Sequence, residues 1–559
     1  MSGAPRAAVV VLTLAYVALA GLAVHDARFL HDEGLLTHLF ASLVGREPAA
    51  TIFLQKARPP LALLYAPIAA AGLPAFLWAH VLVGALAVPL VAATAERLGH
   101  ARPELAAAVV ALSPMHVAAG AAGLMNADAV VGVALVAWLW ASGRWLVAGM
   151  VMGALVWVRS ELAVLALVLA LAALVQRPWR PRALVGLTAF PLLYGLAGAV
   201  YHGDLLWMLH WPPALATPMA DNPFWQAEAG QASLPTVIAA LLAITPAVAL
   251  LGTWRWSSAT AVERAGLLFS IAFVAALVLL PRWRVFNFDL SPRYLLPVLP
   301  WLALAVGRVA MHMGRDEAAV GGLRRGVGLA AFAGLALVVD RLGGGASALA
   351  AGALAAAAMA VGGLGRARLA YGLLGALLGV GALAYGDGAR IDRHQHSPGL
   401  EAIVERLREH PEWDGRRAYT NEPLLAAFLE RSAGEGDLPR LDVRYLVQAD
   451  QLHELTSLAN PEHGQRQALL DALREGFYGT PVLPDELSPE TVPQGSIFVL
   501  RDDPRLVLVM PAEAWSPWLE VVHAGVGTTL AVRTARPTKR LPGTAPRAQL
   551  QTAPTEAPR

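Results

Sequence analysis

Apolar runs of roughly 15–20 residues recur from Ala7 to about Tyr385, broken by short polar connectors, and then cease. Runs of that length suit helices that cross the hydrocarbon core of a bilayer, about 30 Å thick. The pattern predicts spans at 7–24, 75–97, 103–120, 127–142, 145–158, 161–176, 183–202, 235–253, 263–280, 293–311, 326–341, 346–364 and 369–386, about 13 transmembrane helices. Beyond Asp387 charged residues become frequent and turn residues punctuate the chain. There Leu400–His410 has the spacing of an amphipathic helix, and Arg417–Thr420, Val443–Val447, Ser496–Leu500 and Leu506–Met510 read as short strands. The expected organisation is a polytopic all-α membrane domain at 1–387, a small α/β domain at 388–536, and a disordered Pro-, Thr-, Ala- and Arg-rich tail at 537–559. No internal repeat is visible.

Basic connectors at 177–182, 255–264, 315–325 and 366–368 set the orientation, since Lys and Arg favour the cytoplasmic side. Parity then makes the N-terminus cytoplasmic and places 203–234, 281–292 and the C-terminal α/β domain outside. The short apolar run Pro60–Leu73 would reverse that parity if it crossed. It is read as interfacial or re-entrant, so 25–74 forms one long outer loop. The first apolar run has no clear cleavage site after it and reads as a retained helix.

Composition agrees with a lipid environment. The 559 residues are 56% hydrophobic and 15% charged, where soluble domains carry roughly 25% charged residues. Mean hydropathy is +0.52. A net charge of +2 gives no electrostatic footprint for nucleic acid, and the absence of cysteine excludes disulfides and thiolate metal sites. Richness in Ala, Gly, Arg and Leu, without an organelle signal, suggests a bacterial inner (plasma) membrane.

Polar residues near a bilayer are costly unless they have a role or a partner. By parity they collect on the outer side: His25, Asp26, Arg28, His31, Asp32, Glu33, Lys56 and Arg58 in the first loop; Asn126 and Asp128; Arg159 and Glu161; Asp204, His210, Asp221 and Asn222; Asn287, Asp289, Arg293 and Tyr294. Four features recur in order: Asp32-Glu33 within HDEG after the first span; Arg58-Pro59-Pro60-Leu61 about 25 residues on; Asp128 in MNADAVV just before a span; and Arg293-Tyr294-Leu295-Leu296-Pro297 opening a late one.

In these features the chain resembles the GT-C superfamily of integral-membrane glycosyltransferases, in the branch of protein O-mannosyltransferases and the lipid A aminoarabinose transferase. The resemblance covers roughly 1–310. It implies transfer of a sugar from a polyprenyl-phosphate donor to a lipid, glycan or protein acceptor on the outer face. Asp32 would be the catalytic base, with Asp26 competing for that place, and Glu33 and Asp128 supporting carboxylates. Arg58, Lys56, Arg159, Arg293 and Tyr294 would bind substrate. Because the basic motif reads KARPPL, either Lys56 or Arg58 can fill the position.

Plainer readings stand beside these. Asp32 and Glu33 suit the start of a helix over Gly34–Val44; Asp128 suits an N-terminal cap; Lys56 and Arg58 suit snorkelling to lipid phosphates. Arg159 and Glu161 suit a structural ion pair, Arg293 an interface anchor, and Trp207, Trp211 and Trp225 an interfacial belt. Exposed carboxylates of this kind are compatible with a divalent cation, but no ligand set is assigned, and His394 and His396 lack nearby carboxylate spacing. A transporter or lipid flippase is the competing function. It is disfavoured by charges gathered at one surface and by the lack of a repeat. A membrane-anchored scaffold leaves that gathering unexplained.

Overall fold

The computed structural model describes residues 3–25, 32–175, 180–210, 237, 240–242, 244–254, 256–282, 292–313, 398–421, 425–426, 429, 438–446, 464–468, 471, 480–482, 487–501, 510, 512–525 and 528–534. Two compact units are formed, Met1–Asp392 and Arg393–Arg559.

The described part of the first unit is helical. Its α-helices are α1 Gly3–His25, α2 Asp32–Val44, α3 Pro48–Ile52, α4 Pro59–Ala69, α5 Leu73–Ala85, α6 Ala87–Arg97, α7 Pro103–Ala111, α8 Pro114–Ala121, α9 Met125–Ala141, α10 Trp145–Leu155, α11 Ala163–Val175, α12 Pro181–His202, α13 Trp207–His210, α14 Ala261–Arg282 and α15 Leu299–Met313. Short 3-10 turns occupy Gln55–Ala57, Ser160–Leu162 and Pro292–Val298, among others. Proline takes the first helical position of α3, α4, α7, α8 and α12. There its missing N–H costs nothing and its φ is already helical. At α8, Ser113 caps the helix by accepting from the His116 backbone N–H.

Among the described residues five helices are long and apolar enough to cross a membrane, or six if the bent pair α7–α8 is one span. The five are Arg6–Val24, Leu73–Arg97, Pro181–His202, Ala261–Leu279 and Arg293–Met311. They correspond to spans expected at 7–24, 75–97, 183–202, 263–280 and 293–311. The segments expected at 127–142, 145–158 and 161–176 are apolar helices shorter than a full span. Those expected at 326–341, 346–364 and 369–386 lie outside the described residues, as does the 537–559 tail. The first loop is helical in α2, α3 and α4, the last an apolar helix of 11 residues.

Outward-facing side chains on several helices are large and apolar: Val10, Val11 and Leu14 on α1, Leu167 and Leu171 on α11, Leu192, Leu193 and Leu196 on α12. Such surfaces belong against lipid. Inside, backbones come close. A Cβ at Gly186 of α12 would lie 2.1 Å from the Leu146 carbonyl oxygen, so glycine sets the α10–α12 approach. From Tyr294 to Met311 the chain is enclosed by protein.

One buried ionic cluster fastens the far end of α15. Glu263 of α14 accepts from His100 Nε2 at 2.8 Å, from Arg308 Nε and Nη2 at 2.9 and 3.0 Å, and from the Thr260 N–H and hydroxyl at 2.8 Å each. Arg308 Nη2 also donates to the Leu98 carbonyl at 2.8 Å. The carboxylate thus joins α14, α15 and the turn after α6.

The second unit holds α16 Pro398–Arg408 and a six-stranded mixed sheet in the order β3-β2-β1-β4-β6-β5. Its strands are β1 Arg417–Thr420, β2 Asp442–Leu446, β3 Thr480–Val482, β4 Ile497–Arg501, β5 Leu519–Gly525 and β6 Thr528–Arg533. β3, β2, β1 and β4 run parallel, while β6 is antiparallel to β4 and β5. Strands expected at 417–420, 443–447 and 496–500 correspond to β1, β2 and β4; of 506–510 only Met510 is described. Phe498 anchors the core, stacked on Tyr419 at 5.0 Å and meeting Trp515 edge-on at 5.5 Å. Burying such a ring contributes about 2–3 kcal/mol.

Glu263→Ala is expected to destabilise the detergent-solubilised protein by about 3–5 kcal/mol, because a buried cation loses its counter-ion. Adding Arg308→Leu should recover part of the loss. Thermal unfolding midpoints of the two variants check this.

Candidate active site

The KARPPL motif forms a strained turn. Arg58 ends the Gln55–Ala57 turn and opens α4 with φ 53° and ψ 69°, the one non-glycine residue at positive φ among the described residues. An L side chain in that region costs about 1–2 kcal/mol. The neighbouring backbone is held from α12 and α13. Tyr194 Oη donates to the Ile52 carbonyl at 2.9 Å, His202 Nε2 to the Phe53 carbonyl at 3.3 Å, and Gln55 Nε2 to the Met208 carbonyl at 3.0 Å. A turn fixed at so many points can sustain the strain.

Arg159, just before the Ser160–Leu162 turn, is the hub of a buried polar cluster. Its Nε bonds Glu161 Oε1, and its Nη1 donates to Asn126 Oδ1 at 3.0 Å and lies 3.9 Å from Glu33 Oε2. Its guanidinium sits 4.8 Å from the Tyr294 ring centroid. Asn126 in turn donates through Nδ2 to the Arg293 carbonyl at 2.7 Å. Arg293 lies 5.0 Å from the same Tyr294 ring and donates to its hydroxyl at 3.3 Å. Glu33 is placed by a close approach. A Cβ at Gly34 would lie 2.1 Å from the Ala122 carbonyl oxygen, so α2 rests on the end of α8.

Electrostatics separate the two central arginines. Burial opposes the Arg159 cation, but Glu161 and Glu33 outweigh it and hold the guanidinium above its ordinary value. Burial pushes the Arg58 guanidinium below its ordinary value; Glu33 and Glu161 oppose this and Arg159 adds to it. Arg58 Nη1 is enclosed and has no hydrogen-bond partner among the described residues. A buried donor on an under-compensated cation is what an incoming anion would relieve.

Asp128 has other partners. It lies inside α9, which opens at Met125 after Leu124, so it is not the cap. Its Oδ1 accepts from Tyr65 Oη at 2.5 Å and its Oδ2 contacts His80 Nε2 at 2.9 Å.

The structure therefore brings together Glu33, Arg58, Arg159, Arg293 and Tyr294, with Asn126 and Glu161 as their connectors, and forms the Arg159–Glu161 ion pair expected from sequence. Lys56 lies two residues before Arg58, partly exposed. Asp32 is the first residue of α2. Asp26, His31, Trp211, Trp225, Asp221, Asn222, Asn287, Asp289, His394 and His396 lie outside the described residues. Trp207 departs from an interfacial belt: it is fully buried, its ring fills the space over Gly198, and its Nε1 donates to the Gly195 carbonyl at 2.9 Å. Among the described residues no three His, Asp or Glu side chains gather as metal ligands.

Among solved structures, the chain is similar to ArnT from Cupriavidus metallidurans bound to undecaprenyl phosphate. The TM-score is 0.55 with 16% identity, over 94% of this chain and 98% of that one. The apo state of the same protein aligns with a TM-score of 0.49 and 17% identity, over 93% and 97% of the two chains. No protein-family model matches the chain, and no curated protein does. What is shared at this identity is the fold. The chain has the fold of that ArnT structure, a helical membrane-type unit followed by a mixed sheet.

Only glycine accepts a φ of 53° without a Cβ penalty. Arg58→Gly is therefore expected to be more stable than Arg58→Ala by about 1 kcal/mol. Equal midpoints in thermal unfolding would mean that the turn carries no strain.

Proposed function

We propose that this protein is a membrane glycosyltransferase that moves a sugar from a polyprenyl-phosphate donor to an acceptor on the extracytoplasmic face of a bacterial inner membrane. The observation that carries this reading is the buried, unbonded Arg58 Nη1 on a guanidinium that feels Glu33, Arg159 and Glu161. Burial outweighs Glu33 and Glu161 at Arg58 and depresses its cation, so an anion arriving there would be met by a donor already in place. The phosphodiester of a polyprenyl-phosphate sugar is such an anion, and guanidinium groups match its oxygens in pairs. The fold shared with a protein that binds undecaprenyl phosphate supports the same chemistry.

In the proposed reaction an acceptor hydroxyl or amine attacks the anomeric carbon. The bond from that carbon to the phosphate oxygen breaks, and polyprenyl phosphate leaves with the bonding pair. Asp32, at the first position of α2 and next to Glu33, takes the acceptor's proton; Asp26 is the competing base. Arg58 and Arg293, with Lys56 close by, bind the phosphate as charge grows on it, which lowers the barrier where the leaving group forms. Arg159, tied to Glu161 and Asn126, holds the cluster together, and Tyr294 lies between two guanidinium groups. With the basic connectors inside, the N-terminus is cytoplasmic and the C-terminal α/β domain faces outward, available to an acceptor.

The test is release of free polyprenyl phosphate by purified protein from a panel of polyprenyl-phosphate sugars. Asp32→Asn should slow release about 10²–10⁴-fold, and Arg58→Ala should weaken use of the donor. If Asp26→Asn is the slow variant instead, the base is Asp26. No release from any donor by folded protein would turn the reading toward transport.

A further inference from the structure

The Asp128 carboxylate is held in a buried unit that the proposed chemistry does not use. Tyr65 of α4 donates to Oδ1 at 2.5 Å, and His80 Nε2 of α5 lies 2.9 Å from Oδ2. His80 Nδ1 lies 2.9 Å from the Gly120 carbonyl oxygen. A carbonyl can only accept, so Nδ1 carries a proton, and one further proton is shared between Nε2 and the carboxylate. Wherever that proton sits, the Asp128–His80 unit is neutral. Both carboxylate oxygens are engaged, and Asp128 and His80 are buried.

The unit joins the two parts of the arginine cluster. Tyr65 lies seven residues along the helix that Arg58 opens, about 10 Å away. Asn126 and Asp128 share the first turn of α9, and Asn126 bridges the Arg159 guanidinium and the Arg293 carbonyl. We infer that Tyr65 and His80 are positioning residues: by clamping Asp128 they fix the spacing between Arg58 on one side and the Arg159–Asn126–Arg293 chain on the other, and so set the fit of a lipid-linked phosphate. Asp128 then acts through geometry and not by contact with the donor. The inference rests on the reading of the arginine cluster as the donor-phosphate site.

Binding of undecaprenyl phosphate to full-length protein in detergent tests it, with Kd and the number of sites per protein fitted separately. Tyr65→Phe keeps the ring against Phe76, 5.1 Å between centroids, and removes only the hydroxyl. It should raise Kd about tenfold, the equivalent of one hydrogen bond to a charged group, with the number of sites unchanged. His80→Gln should raise Kd likewise. An unchanged Kd in both variants, or fewer sites at the wild-type Kd, overturns the inference, since the latter reports only lost folded protein. Arg58→Ala is measured alongside: weakened binding there keeps the donor-site reading whatever Tyr65→Phe does. Unchanged binding in Arg58→Ala overturns that reading and the inference with it.

Discussion

Keeping the Arg159 cation out of water is the constraint around which one end of the site is built. Removing such an ion from water costs several kcal/mol unless its donors are matched and its charge is met. Here each partner comes from a different place in the chain: Glu161 from the same turn, Asn126 from the start of α9, Glu33 from α2, and the Tyr294 ring from the Pro292–Val298 turn. Elements more than 200 residues apart must therefore arrive in register before the cation can be buried. Apolar packing among Ala, Val and Leu helices is tolerant of small shifts. The guanidinium supplies the register that such packing lacks, as polar contacts do between helices where lipid removes the hydrophobic drive.

The same logic divides the charged residues of the helical unit by how completely they are met. Around Glu263 each carboxylate oxygen accepts at least two bonds, and Arg308 Nη2 also donates to the Leu98 carbonyl. Around Asp128 both oxygens are engaged and the histidine is bonded at both nitrogens. These are fastenings. The Arg58 cluster differs: the backbone is held in the left-handed region and burial depresses the cation. Strain and a depressed cation coincide there, which is where the proposed donor site is placed.

Much of this was legible in the sequence, and the reason is that cost leaves a trace. A charged residue beside a span is expensive, so HDEG, KARPPL and RYLLP stand out against an apolar background. The five long spans and the strands β1, β2 and β4 follow from periodicity alone. Tyr65 and His80 left no such trace, because an aromatic in an apolar helix and a lone histidine in a span are ordinary. Their meaning arises only when α4, α5 and α9 meet. Trp207 misled for the converse reason: an aromatic near a span end suits an interface by composition, yet Gly198 opposite makes a slot that the indole fills. The β5–β6 hairpin escaped notice because Leu519–Gly525 and Thr528–Arg533 mix apolar and polar residues, with Val521 exposed and a register shift between Val521 and His523.

A neutral clamp beside a positive cluster also has an electrostatic consequence. Were Asp128 an unpaired carboxylate so close in sequence to Asn126, its field would offset the arginines and weaken any phosphate they hold. Paired with His80 and bonded by Tyr65, it contributes rigidity without that opposing charge. Glu33 and Glu161 are different, since they face Arg159 directly and keep it ionised. The acidic residues thus have separate tasks: one pair sustains a cation that orders the cluster, and a third is neutralised where order is needed but charge is not. Burial outweighs Glu33 and Glu161 at Arg58, the one non-glycine position with positive φ among the described residues. A lipid phosphate seated there would meet a guanidinium that the protein has fixed in place beforehand, so little of the binding energy would be lost to ordering the site.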